Sequence, residues 1–157
     1  MNRKHNEMKA SDLWATRVGA YGVWQRSGRV LLVKKTKGPY AGSWDLPGGG
    51  IESGETPIVT LKREFLEEVA ATITTATWIA ADSAKSRYVN EDAVAEQFFH
   101  VWLLYRVRAR ASVHISVASD DTAGAHWFGL EELGGLDVSP LVESAIAYLP
   151  ELDRGLS

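Results

Sequence analysis

Glu64, Glu67 and Glu68 stand at i, i+3 and i+4 in the run TLKREFLEEVA. On a helix that spacing brings three carboxylates to one side. Like charges so close repel one another, and a divalent cation removes that penalty. Carboxylate oxygens are hard ligands suited to Mg²⁺ or Mn²⁺, ions that usually hold substrate phosphates as well. Upstream lies Leu46-Pro47-Gly48-Gly49-Gly50, a run that lets backbone approach a ligand closely. Further upstream, Lys34, Lys35 and Lys37 offer cations to phosphate, although lysines at strand ends are also ordinary surface residues.

These residues need a scaffold. Thr56 suits a helix N-cap and Pro57 the first helical position, where a missing N–H is harmless. Ile58, Leu61, Phe65 and Val69 then form a stripe about 80° wide at 100° per residue, which predicts a buried helix face. Before the helix, Arg17 to Trp24 and Arg29 to Lys35 read as strands joined by a Gln25–Gly28 hairpin turn. Thr36 to Ser43 reads as a loop, and Trp44 to Leu46 as a short strand ended by Pro47 and the glycines. After the helix, Thr72 to Ala81 reads as a strand with Ile73 and Ile79 in the core, and Asp82 to Glu96 as a polar loop. Gln97 to Arg110 is the strongest strand, rich in aromatic and β-branched residues. Val113 to Val117 and Ala125 to Gly129 are shorter strands, and Leu130 to Leu133 is a helical turn. Pro140 to Leu149 is a second helix. Strands outnumber helices, which predicts an α/β fold with a mixed sheet covered on two sides. Trp44, Trp102 and Trp127 read most simply as core. His100, set between apolar neighbours mid-strand, reads as a hydrogen-bonded structural histidine rather than a metal ligand.

Composition bounds the function. A chain of 157 residues, 45% hydrophobic, supports one domain with a sizeable core. Residues 1–12 read as a polar, flexible tail and 13–157 as the single domain. The net charge of −3 gives no basic field for nucleic acid or an anionic membrane. Without cysteine there is neither a disulfide nor a thiolate metal site. No apolar run spans a bilayer, and the polar N-terminus lacks a signal peptide's apolar middle. A cytoplasmic protein is expected.

Gly49, then five residues and Glu55, then seven residues and Arg63-Glu64-Phe65-Leu66-Glu67-Glu68, resembles the signature of the Nudix hydrolase family. The preceding WDLPGG is similar to the family as well. One departure follows the acids: Ala70 and Ala71 stand where the family has Gly and then an aliphatic residue. Either Ala70 takes a left-handed cap conformation at a cost on the order of 1 kcal/mol, or the helix runs on. The resemblance implies an α/β/α sandwich around a mixed sheet. It implies hydrolysis of a phosphoanhydride bond, with Mg²⁺ or Mn²⁺, in a nucleoside diphosphate linked to another group. By that resemblance Glu64, Glu67 and Glu68 are metal ligands, joined by the Gly48 carbonyl. Arg63 orients a carboxylate through a bidentate pair, and Glu55 helps hold the loop. The general base is Glu64 or an acid from a distant loop, with Asp121 or its neighbour Asp120 in the expected region. Lys34 and Lys35 would meet phosphate. Tyr88 lies where dinucleoside polyphosphate hydrolases of the family carry a tyrosine.

The substrate is therefore a nucleotide-derived small molecule, read by loops such as Thr36–Ser43 and Asp82–Glu96. Nucleoside triphosphates, nucleotide sugars and dinucleoside polyphosphates all stay open. Small domains of this kind often pair, so a homodimer is compatible. Two other readings compete with the hydrolase. One is a catalytically silent Nudix-fold nucleotide sensor, and the other is an interaction domain whose acids merely coat a helix.

Overall fold

The computed structural model describes residues 14–111 and 122–150. Within them run β1 (Ala15–Arg26), β2 (Arg29–Lys35), β3 (Trp44–Asp45), β4 (Gly48–Gly50), α1 (Pro57–Val69), β5 (Ala71–Val89), β6 (Ala95–Ala111), β7 (Thr122–Gly129) and α2 (Pro140–Ile146), with a 3₁₀ turn at Leu133–Gly135 before α2. The seven strands form one sheet in the order β3-β2-β1-β6-β5, with β4 also paired to β1 and β7 to β2. The β1–β6 ladder is parallel and the others are antiparallel, so the sheet is mixed.

Strand alternation sends neighbouring residues to opposite faces, and each face carries its own core. Leu31, Val33, Trp24, Tyr105 and Val107 pack with Leu61, Phe65 and Val69 of α1. Val30, Leu32, Val23, Trp102 and Leu104 pack with Leu141, Val142 and Ala145 of α2. The expected two-sided covering is what the chain adopts. Thr56 caps α1 as its sequence implies: its hydroxyl accepts from the Val59 N–H at 3.3 Å, and Pro57 opens the helix. Leu61, Phe65 and Val69 are fully buried. At about 1.5–3 kcal/mol for each such side chain, they set the rotation of the helix. That rotation in turn decides which glutamates face inward.

Several expectations need correction. Asp82 to Val89 is not loop but the second half of β5, paired in register with β6 from Asp82↔Trp102 to Val89↔Ala95. Only the short Asn90–Val94 connection remains. Two bulges, between Ile73 and Thr75 and between Trp78 and Ala80, shift the strand's facing. Ile73 therefore joins the α1 core while Ile79 packs at the α2 core. The glycines expected to end a strand form one themselves, with Tyr21↔Gly48, Ala20↔Gly49 and Gly19↔Gly50 in register. The turn expected at Leu130–Leu133 falls instead at Leu133–Gly135, and α2 ends at Ile146. Ala70 does take the left-handed cap, at φ 50°, and its N–H bonds the Phe65 carbonyl. The tail at 1–12, the strand expected at Val113–Val117, and Asp120 and Asp121 lie outside the described residues.

Candidate functional site

β4 places its glycines against α1 at close range. A Cβ on Gly49 would stand 2.5 Å from the Glu64 carboxyl carbon, and one on Gly48 would stand 2.7 Å from the Tyr21 Cα. At Gly48 the Cβ would meet backbone, so glycine there is a packing requirement, whereas at Gly49 it would push aside the Glu64 carboxyl. Between β4, the end of β2, the Lys37–Tyr40 loop and β6 opens a cavity of about 220 Å³. Acids (Asp45, Glu64, Glu68), cations (Arg17, Lys35, Lys37) and rings (Tyr40, Phe98, His100) all face it.

Glu68 is 3% exposed. One of its oxygens, Oε1, accepts from the Lys35 ammonium at 3.2 Å, and Oε2 accepts from the Gly48 N–H at 3.0 Å. Burial pushes its carboxyl up to about 7, against the pull of Lys35 and the Gly48 N–H. Burial also raises Glu64, and Arg63 partly offsets that. Asp45, 1% exposed, is raised by burial too, while Lys35, Ser139 and the Leu46 N–H pull it down. The Ser139 hydroxyl donates to Asp45 Oδ1 at 2.7 Å. Burial pulls the Lys35 ammonium down, but Glu68, Asp45 and Glu64 outweigh it and leave Lys35 raised.

Arg63 forms a bidentate pair with Glu55. Its Nε donates to Oε1 at 2.7 Å and its Nη2 to Oε2 at 3.0 Å. Nη1 donates to Glu64 Oε1 at 2.8 Å. The Thr60 hydroxyl adds a third donor to Glu55 at 2.6 Å. Hydrogen bonds from Arg63 and Thr60 hold the Glu55 carboxyl down at about 2.

The other expected residues separate. Glu67 shares the helix but not the cavity: its side chain is 56% exposed, 3.5 Å from Arg63 Nη1. Among the described residues no three acids or histidines stand together as a ready metal cage. Gly48 meets the site through its N–H on Glu68. Lys34 alternates to the opposite face and lies over the Trp44 ring, 5.2 Å from its centroid. Tyr88 lines an adjoining depression with Thr36, Lys37 and Asn90, and donates to Glu96 at 2.6 Å.

Besides Tyr21 and Tyr40, four residues that no spacing flagged also face the cavity. Arg17 and Asp45 are two. His100 is the third, with Tyr21 Oη 3.0 Å from its Nε2 and Tyr40 Oη 3.2 Å from its Nδ1. Burial, with Arg17 and Lys35 nearby, lowers its imidazole to about 4, so the ring is neutral at pH 7. Phe98 is the fourth, its ring 5.4 Å from that of His100. The WDLPGG run had carried Asp45 into view without marking it as buried in the site.

The donor set suits a hard divalent cation. Glu64, half-buried, and Glu68, buried, face one cavity beside a glycine strand, and their carboxylate oxygens are the hard donors such an ion takes. Such a site, on a mixed sheet with a helix on each face, is of the Nudix class. The sequence profile of the NUDIX domain matches residues 13–152. The nucleoside triphosphatase NudI of Enterobacter sp. (strain 638) is 30% identical over 121 residues, which cover 73% of this chain and 83% of the relative. That of Shigella flexneri is 31% identical over the same shares of both chains. The crystal structure of a MutT Nudix hydrolase from Burkholderia pseudomallei superposes with a TM-score of 0.61 at 25% identity, covering 87% of this chain and 97% of that one. The Nudix domain of Shewanella oneidensis NrtR, solved with ADP ribose, shares the fold at a TM-score of 0.62 and 18% identity, covering 95% and 93%. The chain belongs to the Nudix family and is a Nudix hydrolase. No helix among its described residues is long and apolar enough to cross a membrane.

Proposed function

We propose that this Nudix hydrolase cleaves a phosphoanhydride bond of nucleoside triphosphates, with Mg²⁺ or Mn²⁺, releasing a nucleotide and pyrophosphate. One observation carries the reading: buried acids and phosphate-seeking cations line the same cavity. The two relatives that are named nucleoside triphosphatases favour this substrate class over the other nucleotide derivatives.

Glu64 and Glu68 would hold the ion, with Glu67 at the rim and the Gly48 carbonyl as a further donor. When bound, the ion supplies charge that neutralises phosphate oxygens and makes water acidic enough to act as a nucleophile. Lys35, Lys37 and Arg17 receive the polyphosphate. Glu64 keeps Oε2 without a partner among the described residues, and it takes the proton as water attacks phosphorus and the anhydride oxygen leaves. Asp121 is the alternative base. Arg63 holds Glu64 in place and does not touch substrate. Tyr40, Phe98 and His100 offer the rings of the cavity wall against which a nucleobase would stack. A cytoplasmic setting suits such a substrate, and neither nucleic acid nor membrane is needed.

The test is turnover of a panel of nucleoside triphosphates, nucleotide sugars, ADP-ribose and dinucleoside polyphosphates, with and without metal. Glu68→Gln should lower kcat by at least two orders of magnitude while the fold is kept. Near-normal turnover by that variant, or activity undiminished in EDTA, would refute the proposal. Glu64→Gln against Asp121→Asn then assigns the base, since only loss of the true base abolishes the acidic limb of the pH profile, where activity rises as the base deprotonates.

A further inference from the structure

Lys35 is the only described residue whose ammonium reaches a carboxylate inside the cavity. It stands where a divalent cation would meet Glu68, with side-chain exposures of 16% and 4% for the pair. Its backbone is fixed, because Lys35 N donates to the Ser43 carbonyl at 3.0 Å and its own carbonyl accepts from Gly42 N at 2.9 Å. Only the four-carbon stem is free to move. Glu68 has two hydrogen-bond partners, the Lys35 ammonium on Oε1 and the Gly48 N–H on Oε2, so the ammonium occupies one of the two oxygens an ion would take.

We infer that Lys35 is a resident counter-ion which the divalent ion must displace from Glu68, and that displacement delivers its ammonium to the substrate's phosphates. This rests on the metal reading given above. Two cations cannot share one buried carboxylate oxygen at close range without strong repulsion. The ammonium therefore leaves when the ion arrives. The fixed backbone confines its swing to the cavity, where Lys37 and Arg17 already face inward. Lys35 would thus lower metal affinity in the resting protein, and it would couple metal loading to phosphate capture. It is a positioning residue for the ion and a binding residue for the phosphates.

Two measurements test this without turnover. In the first, Mn²⁺ is titrated into substrate-free protein and free Mn²⁺ is followed by electron paramagnetic resonance. Lys35→Met should bind Mn²⁺ more tightly, on the order of tenfold, and Lys35→Arg should not. Equal or weaker binding by Lys35→Met overturns the inference. Absence of binding by every form, wild type included, instead overturns the metal reading beneath it. In the second, the wild-type protein is reductively methylated with and without saturating Mg²⁺, and each lysine is quantified by mass spectrometry. Lys35 should become several-fold more reactive with Mg²⁺, while Lys34, seated over Trp44, stays constant. Lys35 reactivity that does not rise overturns the inference even if the methionine variant fails to fold.

Discussion

One helix carries two pairings of acid with base, and they are built on opposite principles. At its outer side Glu55 is saturated: the Arg63 fork, the Thr60 hydroxyl and the Glu52 N–H all donate to it. At its inner side Glu68 is nearly dry, with a single lysine and a single N–H. The outer carboxyl titrates far below its usual range, and the inner one far above. Hydrogen bonding that is complete fixes geometry, whereas burial that is incompletely compensated leaves a group seeking charge. The outer cluster is thus a clamp, and the inner pair is a site.

The sharpest way to break this contrast is to remove the clamp. Arg63→Ala frees Glu55 and releases Glu64 from its 2.8 Å contact. Because Glu64 then loses its fixed position, kcat should fall by two to three orders of magnitude, with a smaller change in KM. Arg63→Lys should recover little, since one ammonium cannot reproduce a planar fork. Substantial rescue by lysine in steady-state kinetics would show that charge alone, not the fork, is what matters.

The two sides should also answer pH with opposite signs in metal-free protein. Glu55, held at about 2, contributes stability that is present above pH 4.5 and lost as pH falls through 2. Glu68, raised to about 7, contributes stability that is full below pH 4.5 and lost as pH rises through 7. Its span is about 3 kcal/mol by linkage. His100, lowered to about 4, contributes stability present above pH 6.5 and lost as pH falls through 4. Between pH 4.5 and 6.5 Glu68 and His100 therefore oppose each other, and denaturation midpoints in EDTA should vary little. Glu68→Gln removes one side of that balance, so the variant should lose stability on acidification across the same window. Asp45 and Glu64, raised like Glu68, act in the same direction as Glu68, so the test is the difference between variant and wild type across the window. A variant profile parallel to wild type would mean that Glu68 is not the dry partner described above.

The helix that carries the clamp was legible in the sequence and the site only in part, for reasons visible in α1. The cap, the proline and the apolar stripe are local, and local signals survive folding. At 100° per residue Glu68 lies about 60° from the centre of the buried stripe and Glu67 about 160° from it. A helical wheel thus separates two adjacent glutamates that spacing alone had treated alike. The distal half of β5 was illegible because it is an edge strand with most side chains exposed, so no apolar alternation marks it. Arg17, Asp45, Phe98 and His100 come from three strands far apart in sequence. Their convergence depends on the parallel β1–β6 register, which no motif encodes.

The smallest effect belongs to the end of the same helix, two residues beyond Glu68. Ala70 sits at φ 50°, where its Cβ crowds the following carbonyl. Glycine has no Cβ and takes that conformation freely, though it also has more freedom to lose on folding. Ala70→Gly should therefore stabilise the domain by about 1 kcal/mol or less, read as a modest rise in the denaturation midpoint. The helix is already held by Leu61, Phe65 and Val69, so relaxing its last turn should leave kcat, KM and Mn²⁺ affinity unchanged. If instead the variant gains stability but loses metal affinity, the strained cap helps press Glu68 into its dry position. The inner site would then depend on the backbone that ends the helix as well as on the lysine that faces it.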